Sequence, residues 1–338
     1  FKSFFVFIFS FSILSFFWFG IEMMQNGTWF VKEFFVYQLN LLLTPVAGHH
    51  GPLYYHFVVV FLGCFPISVL ALPVLFRKQY VENSEFTGLM KILFWVVMIL
   101  FTIVTTKIVH YSSLSYIPLS FLASIYIHHL IKHKIKIAGY VSKLLIAIGT
   151  VFSVLLIAAP LAAQHKEWLI PYLKDPFAVA CLENPVPWSG YEFIIGMIYL
   201  IGVVISIFII KHKDVMKGIL ILFYSTAFCM FFYLAAVVPK IEAYSQAPAI
   251  NFYKSLAGKD VYVIPAGFKS YAHYFYFQKP ALTKFKEHEE DSLLNGKIDK
   301  PSYFVTKITN REFFRSHPDC EFLKQAGGFL FYRRIPVK

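Results

Sequence analysis

The sequence predicts a mainly α, polytopic helical membrane protein of about seven transmembrane helices, ending in a small α/β domain outside the membrane. Three observations carry this. The 338-residue chain is 58% hydrophobic and 15% charged, with 39 Phe and a mean hydropathy of +0.61. A soluble domain is nearer about 45–50% apolar and about 25% charged. Apolar runs that approach or reach the roughly 20 helical residues needed to cross a bilayer core recur through residues 1–238. Composition then changes: residues 239–338 hold 16 of the 31 basic and 10 of the 19 acidic side chains. Disorder and an ordinary cytosolic enzyme are excluded. The net charge of +12 is dispersed between apolar runs, not gathered into a stripe, so a nucleic-acid partner is excluded as well.

The spans are expected at residues 4–20, 54–76, 92–106, 112–127, 141–163, 193–210 and 218–238. The chain starts with Phe1, almost inside the first of them and without a signal-peptide cleavage site, and so reads as the beginning of a segment of a larger membrane protein. Pro66 and Pro73 in the second span and Pro118 in the fourth predict kinks, because neighbouring helices can satisfy the carbonyls that proline frees. Residues 107–111 predict a tight hairpin. The first outer loop is read as residues 21–53, and residues 164–190 as an interfacial loop.

Lysine and arginine give the orientation. The side bearing the N-terminus carries Lys2, Arg77, Lys78, Lys91, Lys132, Lys134, Lys136, Lys143, Lys211, Lys213 and Lys217. The opposite loops carry only Lys32, Lys107, Lys166 and Lys174. Cytoplasmic loops are enriched in basic residues, so the first side is cytoplasmic and seven crossings deliver the C-terminus outside.

Two domains follow: 1–238, helical and transmembrane, and 239–338, extracytoplasmic. In the second, residues 247–256 predict a helix and residues 260–264, 303–308 and 329–335 predict strands. Residues 310–317 predict a short helix, and 269–277 are ambiguous. Of the four cysteines, Cys64 and Cys229 lie in apolar runs. Cys181 and Cys320 could pair only if both lie outside the cytoplasm.

Chemistry belongs where polar groups gather at the outer ends of the spans. One such place is the run Thr44-Pro-Val-Ala-Gly-His-His-Gly-Pro-Leu-Tyr-Tyr-His56, whose paired His49 and His50 could hold a metal or a phosphate group. The alternative is an interfacial loop anchored by Trp29, Tyr54 and Tyr55. A second place is Lys107-Ile-Val-His-Tyr111. If helical, Lys107, His110 and Tyr111 share a face, and a cation, an imidazole and a phenol together suit a phosphate oxygen. The alternative is a hairpin cap with a snorkelling lysine. The acidic run at 287–291 reads as a solvated loop. Phosphate-cradling glycine loops, nucleophile elbows and zinc-protease motifs are missing, and the span centres hold almost no ionisable groups, which argues against an ion-coupled pump.

The run from Phe34-Phe-Val-Tyr-Gln-Leu-Asn40 through the His-His-Gly-Pro loop to Leu62-Gly-Cys-Phe-Pro66 resembles the polytopic GT-C glycosyltransferases. These are the membrane enzymes related to the lipid A aminoarabinose transferase and the protein O-mannosyltransferases. Thr106-Lys-Ile-Val-His-Tyr111 with Tyr116-Ile-Pro118 is similar to a later segment of that family, and Tyr244-Ser-Gln-Ala-Pro248 and Phe268-Lys-Ser-Tyr-Ala-His273 to its outer domain. The resemblance implies transfer of a sugar from a polyprenyl-phosphate donor to a lipid or protein acceptor at the outer face of the bacterial inner membrane. It implies Tyr111, with Lys107, at the carrier phosphate, where spacing adds His110, and His49 or His50 near a divalent metal cation. The family's catalytic acid follows the first of its spans. Glu22 and Glu33, the carboxylates of this chain's first outer loop, do not match its motif, so a fragment lacking the catalytic acid, and inactive alone, is expected. The alternative function is a transporter or flippase for a lipid-linked substrate.

Overall fold

The computed structural model describes residues 2–44, 50–77, 85–212, 214–278 and 289–336. Its helices are α1 (Lys2–Asn26), α2 (Trp29–Leu43), α3 (Tyr55–Gly63), α4 (Ile67–Phe76), α5 (Glu85–Ile103), α6 (Tyr116–Lys132), α7 (Gly139–Gln164), α8 (Pro176–Glu183), α9 (Ile194–His212), α10 (Val215–Ala236), α11 (Val238–Ser245) and α12 (Ala247–Leu256). Strand β1 (Tyr262–Pro265) follows, then α13 (Ala272–Tyr276), α14 (Glu289–Asn295), β2 (Ser302–Lys307), α15 (Arg311–Arg315), β3 (Cys320–Ala326) and β4 (Phe329–Arg334). Among the described residues six helical stretches are long and apolar enough to cross a membrane, or seven if α3 and α4 together make one span. This is the polytopic helical architecture that the hydropathy predicts.

Two local expectations are corrected. The second span is not merely kinked at Pro66: α3 and α4 meet at 117° across Cys64–Pro66. Pro66 lacks an N–H, so the ladder is interrupted, and Ser68 Oγ takes up a freed carbonyl by donating to Phe61 O at 2.5 Å. Pro73 stays inside α4, and Pro118 stands in the first turn of α6, where its missing N–H costs nothing. The first outer loop is largely helical: α1 runs on to Asn26, Gly27 turns the chain at φ +77°, and α2 follows. Phe19 of α1 packs on Phe34 and Phe35 of α2, with ring centroids 5.4 and 6.2 Å apart.

The chain divides into two compact units, one of residues Phe1–Ile148 and Ser206–Leu220, the other of Gly149–Ile205 and Ile221–Lys338. In the first, α4 packs on α6, burying Val69, Leu70, Val74, Leu119 and Leu122. In the second, small residues let helices approach closely. A Cβ on Gly196 of α9 would stand 2.9 Å from the backbone oxygen of Ser153 in α7.

The second unit also holds the sheet, ordered β1-β2-β4-β3, with β1 parallel to β2 and the other pairs antiparallel. Strand β4 is covered on both faces. Phe329 and Phe331 meet Phe252 and Tyr253 of α12, whereas Leu330 and Tyr332 meet Leu293, Leu294 and Phe314. A strand buried on both sides reads as an unbroken apolar run, as Phe-Leu-Phe-Tyr does here. The segment before α9 joins this core through α8. Asp175 caps it by accepting from Phe177 N at 2.9 Å, and Phe177 packs edge-on against Phe329. All four cysteines are free thiols, Cys181 lying against Gly328 and Cys320 in the opposite core cluster.

Candidate functional site

The connection between α5 and α6 gathers polar groups of the first unit. Lys107 is not helical: the chain leaves α5 at Ile103, crosses residues 104–108 extended or bent, and forms a 3-10 turn over Val109–Ser115. Lys107, His110 and Tyr111 therefore do not share a helical face as the spacing suggested. The crossing segment is tied to the end of α2 instead. Thr105 N donates to Leu42 O at 3.1 Å, Thr106 N to Leu41 O at 3.2 Å, and Thr106 Oγ1 to Thr44 O at 2.9 Å.

This path turns Lys107 inward. It is 4% exposed, and its ammonium donates to Phe101 O at 3.0 Å and Thr102 O at 2.8 Å, the last carbonyls of α5. The negative end of the helix dipole favours a cation there. Burial nevertheless lowers the Lys107 pKa from its ordinary value. An ammonium has three protons, and no described acceptor takes the third.

Phe101 is the common neighbour that gathers the remaining groups. The His56 ring lies 5.8 Å from its ring and the Tyr111 ring 5.5 Å. His56, at the start of α3, is fully buried and its Nδ1 lies 3.0 Å from Ser112 Oγ. Its Nε2 is buried without a hydrogen-bond partner among the described residues. An orphaned buried polar atom costs about 1–3 kcal/mol, which a ligand bound to it would relieve. The Tyr111 hydroxyl, half-buried, also makes no hydrogen bond to a described residue. Gly51 closes the cluster from the loop side, since a Cβ there would come within 3.3 Å of Lys107 Cγ and 3.2 Å of Tyr55 Cδ2.

The arrangement thus sets Lys107 on the Phe101 backbone oxygen and Tyr111 on the Phe101 ring, leaves His110 exposed beside Tyr111, and adds His56, which sequence spacing did not single out. One sequence signal pointed to it: an ionisable residue opening an otherwise apolar helix. His49 lies outside the described residues. His50 is exposed, and among the described residues no three His, Cys, Asp or Glu side chains converge. Among the described residues the metal expectation keeps His50 alone, and one imidazole does not by itself make a divalent-ion site. Of the two carboxylates of α1 and α2, Glu33 is exposed and Glu22 accepts from Asn26 Nδ2 at 2.8 Å, and neither joins the cluster.

A third polar site belongs to the second unit. Glu192, 4% exposed, accepts from Ser189 N at 2.9 Å, Ser189 Oγ at 2.7 Å and Gly190 N at 3.1 Å, and is paired with Lys240. Trp188 Nε1 donates to the Tyr244 hydroxyl at 2.8 Å, which itself donates to Ala163 O at 3.1 Å. Every member is satisfied within the network, so it is a fastening between α11 and the segment before α9, with nothing held out to a ligand.

No family model and no curated protein matches the chain. Two solved structures do. The crystal structure of ArnT from Cupriavidus metallidurans bound to undecaprenyl phosphate superposes with a TM-score of 0.63 at 12% identity, over 94% of this chain and 57% of that one. The structure of the same protein in the apo state gives 0.61 at 13% identity over the same shares. The chain thus spans just over half the length of the solved structures it matches. The likeness is one of fold, and it bears out the polytopic helical architecture: over these shares the chain has the fold of ArnT.

Proposed function

We propose that the chain forms the carrier-binding part of a membrane glycosyltransferase. It would take a sugar from a polyprenyl-phosphate donor and pass it to a lipid or protein acceptor at the outer face of the inner membrane. One observation carries the reading. The hairpin gathers a buried ammonium, an imidazole nitrogen and a phenol around Phe101, each with hydrogen-bonding capacity to spare, and does so on the fold of a protein solved with undecaprenyl phosphate bound.

In such a transfer the bond between the anomeric carbon and the carrier phosphate oxygen breaks, and the phosphate keeps the electron pair. The acceptor hydroxyl oxygen bonds to that carbon and gives up its proton to a base. Charge develops on the phosphate, where donors fixed in a water-poor site are most effective. Lys107 supplies the cation and Tyr111 an O–H donor. His56 adds a second N–H in the tautomer that accepts from Ser112 at Nδ1. No residue of this chain is assigned as the base. On this reading the C-terminal sheet lies on the same outer side, which the distribution of lysine and arginine supports.

The test is sugar transfer in membranes carrying the full-length gene product, supplied with a radiolabelled polyprenyl-phosphate sugar. Label should pass to a lipid or protein fraction, and at least about tenfold more slowly in Tyr111→Phe. Equal rates in both would remove the phosphate-site assignment. A second reading, translocation of a lipid-linked substrate, is favoured by the 117° break between α3 and α4, since transporters use interrupted helices. Label that crosses the bilayer without any transfer product would select it.

A further inference from the structure

At the other end of α6 the first unit has a second polar feature, unrelated to the hairpin cluster. The chain leaves α6 through a left-handed residue, Lys134 at φ +50°, with His133 N and Lys134 N closing the turn on His129 O and Ile131 O. Tyr126 OH then accepts from Ala138 N at 3.0 Å, which pins the connection to α7 back on α6. Facing it is the turn from α9 to α10. It is equally fixed: Asp214 Oδ1 accepts from Lys217 N at 3.1 Å, and a Cβ on Gly218 would stand only 2.7 Å from Ser206 O, so the two helices touch there.

Between these walls lies a cleft of about 430 Å³. Its inner lining is apolar, with Leu130 and Ile210 buried and Ile135 and Val215 half-buried. Its rim carries Lys134, Lys136, Lys211 and His212, all exposed. Asp214 is the one carboxylate in the described lining, and it is engaged with Lys217 at 3.8 Å and with the first turn of α10. The three rim lysines have no carboxylate partner among the described residues. Three like charges converge on a preformed cleft at the level where spans end, with an apolar wall behind them.

We propose that this cleft binds the phosphate headgroup of an anionic phospholipid of the surrounding leaflet. The lysines take the phosphate oxygens, and the Ile135, Ile210 and Val215 wall takes the glycerol and the first acyl carbons. Basic pockets between helix ends suit such headgroups, and each nearby lysine strengthens the attraction. A soluble phosphate would meet the same cations but leave the apolar wall uncovered, and the lining therefore favours a lipid.

The experiment measures lipid retained by the purified protein in native mass spectrometry, and its thermal midpoint in detergent, as phosphatidylglycerol, cardiolipin, phosphatidylcholine or inorganic pyrophosphate is added. Anionic lipid should bind and raise the midpoint, with phosphatidylcholine ineffective. Lys134→Gln/Lys136→Gln/Lys211→Gln should weaken anionic-lipid binding at least about tenfold. The variant Lys2→Gln/Lys91→Gln/Lys143→Gln removes the same charge from the same side of the membrane and should bind like wild type. Equal loss in both variants would reduce the effect to general surface charge and overturn the site. So would undiminished binding in the first. Pyrophosphate matching the lipids would overturn the lipid assignment in favour of a soluble anion.

Discussion

His56 Nδ1 and Ser112 Oγ stand 3.0 Å apart although 56 positions separate them, and the contact joins α3 to the connection between α5 and α6. Ser112 Oγ lies 3.5 Å from Val109 O, too long to compete strongly for its proton. Both residues are fully buried, so the pair forms away from water and its loss leaves a polar group stranded. The imidazole already carries one nitrogen without a described partner.

Ser112→Ala should therefore destabilise the protein by roughly 1–3 kcal/mol, the cost of a second orphaned nitrogen. His56→Phe should cost less than Ser112→Ala, because it removes the stranded group while keeping a ring against Phe101. Thermal unfolding in detergent ranks the two. The reverse order would show that the imidazole is already satisfied by another group.

The hairpin groups separate by what each does besides meeting a ligand. Lys107→Ala removes the ammonium that holds the last carbonyls of α5, so both carrier binding and stability should fall. Tyr111→Phe keeps the ring on Phe101 and removes a hydroxyl that no described residue uses, so binding should fall with stability unchanged. Titration with a short-chain polyprenyl phosphate, alongside a thermal melt, reads both quantities. A stable Tyr111→Phe protein with wild-type affinity would take Tyr111 out of the phosphate site.

The helical framework was legible because crossing a bilayer demands long apolar runs, and the basic excess on one side followed from the loops alone. Features that depend on partners were not. Helix α2 was hidden because Phe34-Phe-Val-Tyr-Gln-Leu-Asn40 reads equally as an interfacial loop, and only Gly27 hints at a turn into a helix. Strand β3 was missed because Glu321, Lys324 and Gln325 face solvent on an edge strand with a bulge between Phe322 and Lys324, which erases its alternation. Strand β4 and helix α12 were visible because both are apolar on their buried faces. The site was half legible. Lys107 and Tyr111 each reach Phe101, one at its backbone oxygen and the other at its ring, through a non-helical path set by hydrogen bonds to α2. No spacing in residues 107–111 encodes that path.

Close helix packing in the second unit gives a steric test. Gly196→Ala would set a methyl 2.6 Å from Ile157 Cγ1 and 2.9 Å from both Ile157 N and Ser153 O. Two of these atoms are backbone and cannot rotate away, so α7 and α9 must separate. The expected cost is about 1–3 kcal/mol, seen as a lower thermal midpoint. Gly63→Ala meets nothing within 4 Å and should be nearly neutral.

The Glu192–Lys240 pair gives the fold an acid-sensitive fastening. Burial alone would raise the Glu192 pKa, but Lys240 and the Ser189 N–H and hydroxyl outweigh it and hold the carboxyl down at about 2, against an ordinary 4.5. A depressed carboxyl stabilises the folded state fully above the unfolded value, and that contribution disappears as pH falls from about 4.5 toward 2. The shift corresponds to roughly 3 kcal/mol as an upper figure, and because the Lys240 side chain is 25% exposed, water will moderate it. Glu192→Gln should therefore be less stable than wild type by about 2 kcal/mol near pH 7. The difference should shrink steadily below pH 4.5 and disappear below about pH 2, where Glu192 is protonated and both proteins carry an uncharged side chain at this position. Paired thermal melts across that range measure it. A difference that stays constant with pH would show that Glu192 acts through packing and not through its charge.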